Sequence, residues 1–317
     1  MVRIKYTVVC STLFFCCAIL SVIYAADIKE EKVSLPVVYQ MPSASEMRYM
    51  FTISNKAVTL ENNNYTERVP VFTQLDDYQI KCEHKIPFLC DSAGEKIFLI
   101  LKSEEVCFLF KNNNASQYMA AGEHVFGALE KTQQTIYELS TRRTFSDVSA
   151  TSFLKEEATE TRPRMSYEAS NLIRFSLDAP WVENAPGQGI GEKIRFSTYD
   201  EEEGDVPAGK AVGFYVCNGF ISFVRPDLYE KNSRVKEFKV TDVKTQKSKS
   251  VYLEDTPNPQ FIDISEFKGT DVELEIKDVY PGTRWQDTCV AGIVLKRLRT
   301  YTDEGKAVKG ARLPKKE

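Results

Sequence analysis

Asp271-Val272-Glu273-Leu274-Glu275-Ile276-Lys277-Asp278-Val279-Tyr280 alternates apolar and charged residues. Val272, Leu274 and Ile276 share one side, and Glu273, Glu275 and Lys277 the other. Successive strand residues point to opposite faces, so this segment reads as a β-strand with one buried and one wet side, as in an antiparallel sandwich. Further strands are expected at Lys193–Tyr199, Ala211–Cys217, Val235–Val240, Ser250–Leu253, Gln260–Ile264 and Cys289–Leu298, with Pro207, Pro226, Pro257, Pro259 and Pro281 in the gaps where prolines belong. Two loops stand out. Pro180-Trp181-Val182-Glu183-Asn184-Ala185-Pro186-Gly187-Gln188-Gly189-Ile190-Gly191-Glu192 opens the β-rich region, and Tyr280-Pro281-Gly282-Thr283-Arg284-Trp285-Gln286-Asp287-Thr288-Cys289 precedes its last strand. A small sandwich with residue-specific loops of this kind suits a binding module.

Towards the N-terminus, Val33–Tyr39, Tyr49–Ser54, Ala57–Leu60, Lys96–Leu101 and Val106–Phe110 are β-branched or aromatic-rich, and Asn62-Asn63-Asn64 and Asn112-Asn113-Asn114 read as turns. Glu123–Arg143 is the helix candidate: Val125, Phe126, Leu129, Ile136 and Leu139 fall on one face, with Glu123 in the first turn and Arg142 and Arg143 in the last. The polar stretch 144–166 reads as a linker, and the basic tail from Lys296, above all 299–317, as disordered. The expected organisation is a leader over 1–26, a β-rich domain with one helix over 27–143, the linker, a sandwich over 167–298 and the tail.

Arg3 and Lys5 precede an uncharged run from Tyr6 to Ala26 that ends in small residues, the layout of a secretory signal cleaved near Ala25 or Ala26. The same run is long enough to remain as a membrane anchor, Cys16 or Cys17 could be lipidated, and a buried N-terminal helix is the plain alternative. The expected location is the periplasm or cell envelope, with membrane attachment only if this segment is retained or lipidated. A net charge of -4 over 317 residues gives no basis for nucleic-acid binding, and 43% hydrophobic residues suffice for one or two cores. Beyond the leader lie Cys82, Cys90, Cys107, Cys217 and Cys289. Cys82 and Cys90 could close a short disulfide loop, whereas the other three sit in apolar runs and read as buried thiols.

Three blocks carry a family resemblance. They are Tyr167-Glu168-Ala169-Ser170-Asn171-Leu172 with Pro180-Trp181-Val182-Glu183 and Gly189-Ile190-Gly191-Glu192; Asn218-Gly219 with Tyr229 through Lys236; and Leu253-Glu254-Asp255-Thr256-Pro257 with Val279-Tyr280-Pro281-Gly282-Thr283 and Asp287-Thr288-Cys289. Together they resemble the discoidin-like (F5/8 type C) domain associated with translocation of bacterial NAD glycohydrolases. The resemblance implies a jelly-roll, galactose-binding-like β-sandwich, a glycan or envelope partner, an exported bacterial protein and no catalytic role. Val290-Ala291-Gly292-Ile293 replaces the family's Ile-Ser-Glu-Ile strand, which puts a structural calcium ion in doubt, and no cofactor or metal is expected.

A polar ligand surface is expected where Trp181, Glu183, Asn184, Tyr229, Arg234, Arg284, Trp285 and Asp287 could gather at one loop end of the sandwich. An aromatic face suits the C–H face of a pyranose, and the polar groups suit its hydroxyls. Against this, Trp181 can equally be a core anchor, and Arg234 can pair with Glu183 or Asp287 only to lock the loops. Gly187-Gln188-Gly189-Ile190-Gly191 superficially resembles a phosphate loop, but no Lys-Ser/Thr follows and a tight turn explains the glycines. Cys82, His84 and Cys90 lack a fourth zinc ligand, and the acidic run Asp200–Asp205 lacks the spacing of a calcium loop. His84 and His124 are the only histidines, and neither sits in a nucleophile motif. The alternatives are a hydrolase centred on the N-terminal half and a structural or assembly protein whose sandwich has lost its ligand site.

Overall fold

In the computed structural model, residues 33–35, 47–53, 57–64, 70–76, 79–103, 106–111, 117–121, 133–140, 146–160, 164–174, 177, 179–199 and 208–302 are described. The expected leader 1–26, the acidic run 200–205, Asn112–Asn114 and residues 303–317 lie outside them. The strands are β1 (Val33–Leu35), β2 (Met47–Ile53), β3 (Ala57–Asn64), β4 (Pro70–Asp76), β5 (Gln79–Glu83), β6 (Ile86–Cys90), β7 (Lys96–Lys102), β8 (Val106–Lys111), β9 (Gln117–Ala121), β10 (Gln133–Ser140), β11 (Ser146–Ala150), β12 (Lys155–Glu156), β13 (Met165–Ser166), β14 (Trp181–Val182), β15 (Lys193–Ser197), β16 (Lys210–Asn218), β17 (Ser233–Asp242), β18 (Ser248–Tyr252), β19 (Gln260–Asp263), β20 (Asp271–Tyr280) and β21 (Thr288–Thr302). Two four-residue helices, α1 (Asn171–Arg174) and α2 (Leu228–Lys231), complete the described elements.

The alternating segment forms β20, in which Val272, Leu274 and Ile276 are fully buried and Glu273 and Glu275 lie at the surface margin. It belongs to a path β11-β15-β20-β17-β21-β16-β19, with β18 on β17 and both β10 and β14 on β21. This path is a jelly-roll sandwich. Its two halves meet where Ser233 and Arg234 run parallel to Thr288 and Cys289, and they bury a common core. Ile194, Phe196, Phe238, Val240, Val272, Leu274 and Ile276 line one half, facing Phe214, Val216, Ile262, Val290, Ile293 and Leu295 of the other. The exposed side of the first half carries diagonal ion pairs, Lys193–Glu273 and Arg195–Asp271, both at 2.7 Å. Such pairs keep the sheet face wet and add little stability.

The other half is apolar on its outer side too. Tyr215, Cys217, Ile221, Tyr229, Ala291 and Val294 pack against Ile86, Phe88, Leu99, Leu101, Val106, Phe108 and Phe110 of the five-stranded antiparallel sheet β5-β6-β7-β8-β9. Ala291 stands at the position where the resembling family has a polar serine, so the departure noted in the sequence supplies apolar surface to this contact. Phe98 and Ile100, on the opposite side of β7 from Leu99 and Leu101, are also buried, which explains the uninterrupted apolar run Ile97–Leu101. A second antiparallel sheet, β1-β2-β3-β4, precedes it.

Several expectations are corrected. Within the helix candidate Glu123–Arg143, residues 133–140 form strand β10, in register with β21 from Gln133↔Thr302 to Ser140↔Leu295. The free edge of β21 offers eight pairings, and Thr135-Ile136-Tyr137 suits a pleated surface better than a short helix. The expected linker is also built into the fold: Ser146–Ala150 pairs with β15, and β12 pairs with β13. Asn62, Asn63 and Asn64 continue β3 rather than turning. The tail is ordered through Thr302 along β21, and Arg297 is fully buried, donating to the carbonyls of Thr198, Gly209 and Tyr199. Finally, Cys82 lies opposite Pro87 and Cys90 opposite Gln79 in the β5–β6 hairpin. An offset of three residues puts the two thiols on opposite faces, one exposed and one buried, so the disulfide does not form.

Candidate functional site

The three expected segments do meet at one end of the sandwich, and backbone hydrogen bonds hold them together. Trp285 N and Arg284 N donate to Lys231 O at 2.8 and 3.1 Å, Thr283 N to Glu230 O at 2.9 Å, and Ser233 N to Asp287 O at 3.0 Å. Gly282 is required for this approach: a Cβ there would lie 2.3 Å from Trp285 O and 2.5 Å from Lys231 O. On the other side, Glu183 is fully buried, accepting Thr288 N at 3.0 Å through Oε1 and Ala185 N at 2.6 Å through Oε2. Gly189, at φ +68°, closes over it; a Cβ at that position would meet the Glu183 side chain at 2.6 Å. The glycines of this loop therefore serve a tight turn, followed by strand β15.

The eight expected residues divide by exposure. Trp181 is fully buried in the sandwich core, its Nε1 donating to Ser152 O at 3.0 Å. Tyr229 is also fully buried, and Arg234 is 5% exposed. Arg234 pairs neither with Glu183 nor with Asp287. Its Nε and Nη2 donate to Asp255 at 2.7 and 3.0 Å, and its Nη1 donates to the carbonyls of Tyr229 and Asn232. With its donors committed, Arg234 fixes loop geometry and cannot also grip a ligand. Burial raises the Glu183 and Asp287 carboxyls above their ordinary range. Asn184 and Arg284 are exposed, and Trp285 and Asp287 are partly exposed. The Arg284 guanidinium lies over the Trp285 indole at 4.7 Å.

The sequence reading missed Asp255 and Lys85 as parts of this end. Asp255 accepts from Arg234, from the Tyr229 hydroxyl at 3.3 Å and from Lys85 Nζ at 2.7 Å. Burial works against its ionisation, but the Arg234 and Lys85 hydrogen bonds outweigh it and lower its pKa. Lys85 belongs to the two-residue turn His84-Lys85 of the β5–β6 hairpin, and both residues adopt left-handed φ. His84 Nδ1 lies 2.7 Å from Glu230 Oε2, so this turn anchors the N-terminal sheet beside the site. Asp255 stands within one of the sequence blocks, but only the fold brings a residue of β5–β6 to it.

Residues 139–296 match the family described as the NAD glycohydrolase translocation F5/8 type C domain. The chain carries an F5/8 type C translocation domain. Its matched range starts ahead of the expected Tyr167 and takes in β11, in agreement with the pairing of that strand. No curated protein matches the chain. Among solved structures, the chain is similar to arabinofuranosyltransferase AftD from Mycobacteria at 11% identity and a TM-score of 0.31, covering 59% of this chain and 14% of that one.

The F5/8 type C domain is a translocation domain rather than a catalytic one. Among the described residues, no group of three or more His, Cys, Asp or Glu side chains is placed to hold a metal ion, and no helix is long and apolar enough to cross a membrane. Cys217 and Cys289 are buried thiols whose pKa burial pushes well up, so they are poor nucleophiles. A shallow cavity of about 230 Å³ lies among Val148–Ala150, Phe153 and Glu168–Ser170, and none of the eight expected residues lines it.

Proposed function

We propose that this is an exported, non-catalytic binding protein of the bacterial cell envelope, whose F5/8 type C domain recognises a glycan through the loop end carrying Asn184, Arg284, Trp285 and Asp287. The observation that carries the reading is the contrast between the two tryptophans: Trp181 is consumed by the core, whereas Trp285 is held half-exposed on a rigid loop among polar side chains. An aromatic left partly exposed on a loop in this way fits ligand contact, since its apolar ring and polar neighbours match a sugar's two kinds of surface. A glycan array probed with the full chain tests it. Trp285→Ala is expected to abolish the retained signal, and Lys239→Ala, on the exposed side of β17, to leave it unchanged. An array left blank by the unmodified, folded protein would favour a structural or assembly role. Hydrolysis of an arrayed glycan by the unmodified chain would restore the enzyme reading.

A further inference from the structure

Among the described residues, five arginines besides Arg284 have named polar partners. Arg195 pairs with Asp271, Arg225 with Asp227, Arg164 with Glu157 and Arg234 with Asp255, while buried Arg297 donates to backbone carbonyls. Arg284 differs. Its backbone N–H is used by Lys231 O, but its guanidinium makes neither an ion pair nor a hydrogen bond among the described residues; its one contact is the Trp285 ring. It nevertheless stands in a loop fixed by Gly282, Thr283 and Trp285 against α2. The result is a planar cation lying against an indole with its N–H donors unspent. A guanidinium donates in a fixed fork that matches a carboxylate bidentately, and stacking lowers the entropy cost of ordering it.

We infer that the ligand of this loop end is an acidic saccharide whose carboxylate is bound in bidentate fashion by Arg284, while Trp285 supports the sugar ring. The inference rests on the glycan reading above and names the ligand class for the same site. Arg284 occupies one face of Trp285, so a neutral pyranose stacked on that face would have to displace it, whereas a uronate uses the guanidinium where it stands. Exposed Asn184 and Gln286, on the two loops joined by the Glu183–Thr288 hydrogen bond, carry amides suited to hydroxyls. Partly buried Asp287 would repel a carboxylate, which favours a ligand that places its carboxylate on the Arg284 side of Trp285.

The test is calorimetric titration of the full chain with a uronic-acid oligosaccharide and with its carboxyl-reduced neutral counterpart, at low and at moderate salt. The uronate is expected to bind more tightly than the neutral sugar and to weaken as salt rises. Arg284→Ala should lower uronate affinity by about tenfold or more, and Arg284→Lys should recover only part of it, because an ammonium lacks the fork. Far-UV circular dichroism of both variants checks that the fold is kept. Equal affinity for the neutral sugar, indifferent to Arg284→Ala but lost in Trp285→Ala, would overturn the acidic class while leaving the glycan reading intact. Absence of binding to either sugar would overturn both. Arg284-dependent binding to vesicles of phosphatidylglycerol, without binding to the uronate, would also overturn the saccharide assignment.

Discussion

Arg234 and Arg284 belong to neighbouring segments joined by four backbone hydrogen bonds, yet they do opposite things. Arg234 is buried with its donors taken, so Arg234→Ala leaves Asp255 only Lys85 and the Tyr229 hydroxyl, and the carbonyls of Tyr229 and Asn232 without their guanidinium donor. Breaking a buried pair of this kind costs about 3 kcal/mol, to be read as a lowered denaturant midpoint. Arg284→Ala should change stability by less than about 0.5 kcal/mol, because only a ring contact is lost. Asp242 contributes to the acid limit, as does Asp227, whose carboxyl Arg225 and Lys231 hold well below the usual range. The Asp242 carboxylate accepts from the Thr245 hydroxyl and from the backbone N–H groups of Lys268, Gly269, Thr245 and Lys244. Burial opposes ionisation, but these hydrogen bonds prevail and lower its pKa from 3.8 to about 2. A folded pKa below the unfolded one gives stability that is present above pH 3.8 and is lost as pH falls towards 2, about 2 kcal/mol in all. Glu183 and Asp287 act in the opposite sense: their raised pKa favours the folded state at low pH, and that contribution fades as pH rises through the folded value. Resistance to urea should therefore fall between pH 4 and pH 2 in the parent chain, and Asp242→Asn should flatten that limb.

At the scale of the element, β20 could be read directly because its alternation is local: each side chain declares its face within ten residues. The strands β15 to β21 were legible to within a few residues at their ends, β16 and β21 as continuous apolar runs buried on both faces. β10 and β11 were not. Their residues are polar or ambiguous in period, and what makes them strands is an edge supplied by β21 and β15, some fifty to 160 residues away. The division of the site followed the same rule. Position at a loop end could be inferred from strand order, but whether Tyr229 faces solvent or the β5–β9 sheet depends on a long-range contact that no local pattern carries. Hydrogen exchange measured by mass spectrometry checks the reassignment. Amides of 133–140 should be protected comparably to those of 289–298; rapid exchange there, as expected of a frayed helix or a linker, would contradict it.

For the whole molecule, the decisive feature is the apolar contact between the β5–β9 sheet and the outer side of β16 and β21, fastened by Lys85–Asp255 and His84–Glu230. The proposal of separable domains on either side of 144–166 meets this contact directly. Protease should nick between β12 and β13, where residues 157–160 and Arg164 are exposed, and the two pieces should still co-elute in gel filtration. Val294→Asp, which buries a charge in the contact, should cost several kcal/mol or release the pieces after nicking. The central claim, that Trp285 contacts ligand while Trp181 only supports the fold, is open to one direct measurement. The chain has two tryptophans, one fully buried and one partly exposed, so acrylamide quenching of intrinsic fluorescence reports Trp285. Saturation with the glycan retained on the array should reduce that quenching to the level of the shielded Trp181. Saturable binding that leaves acrylamide access unchanged would contradict the account.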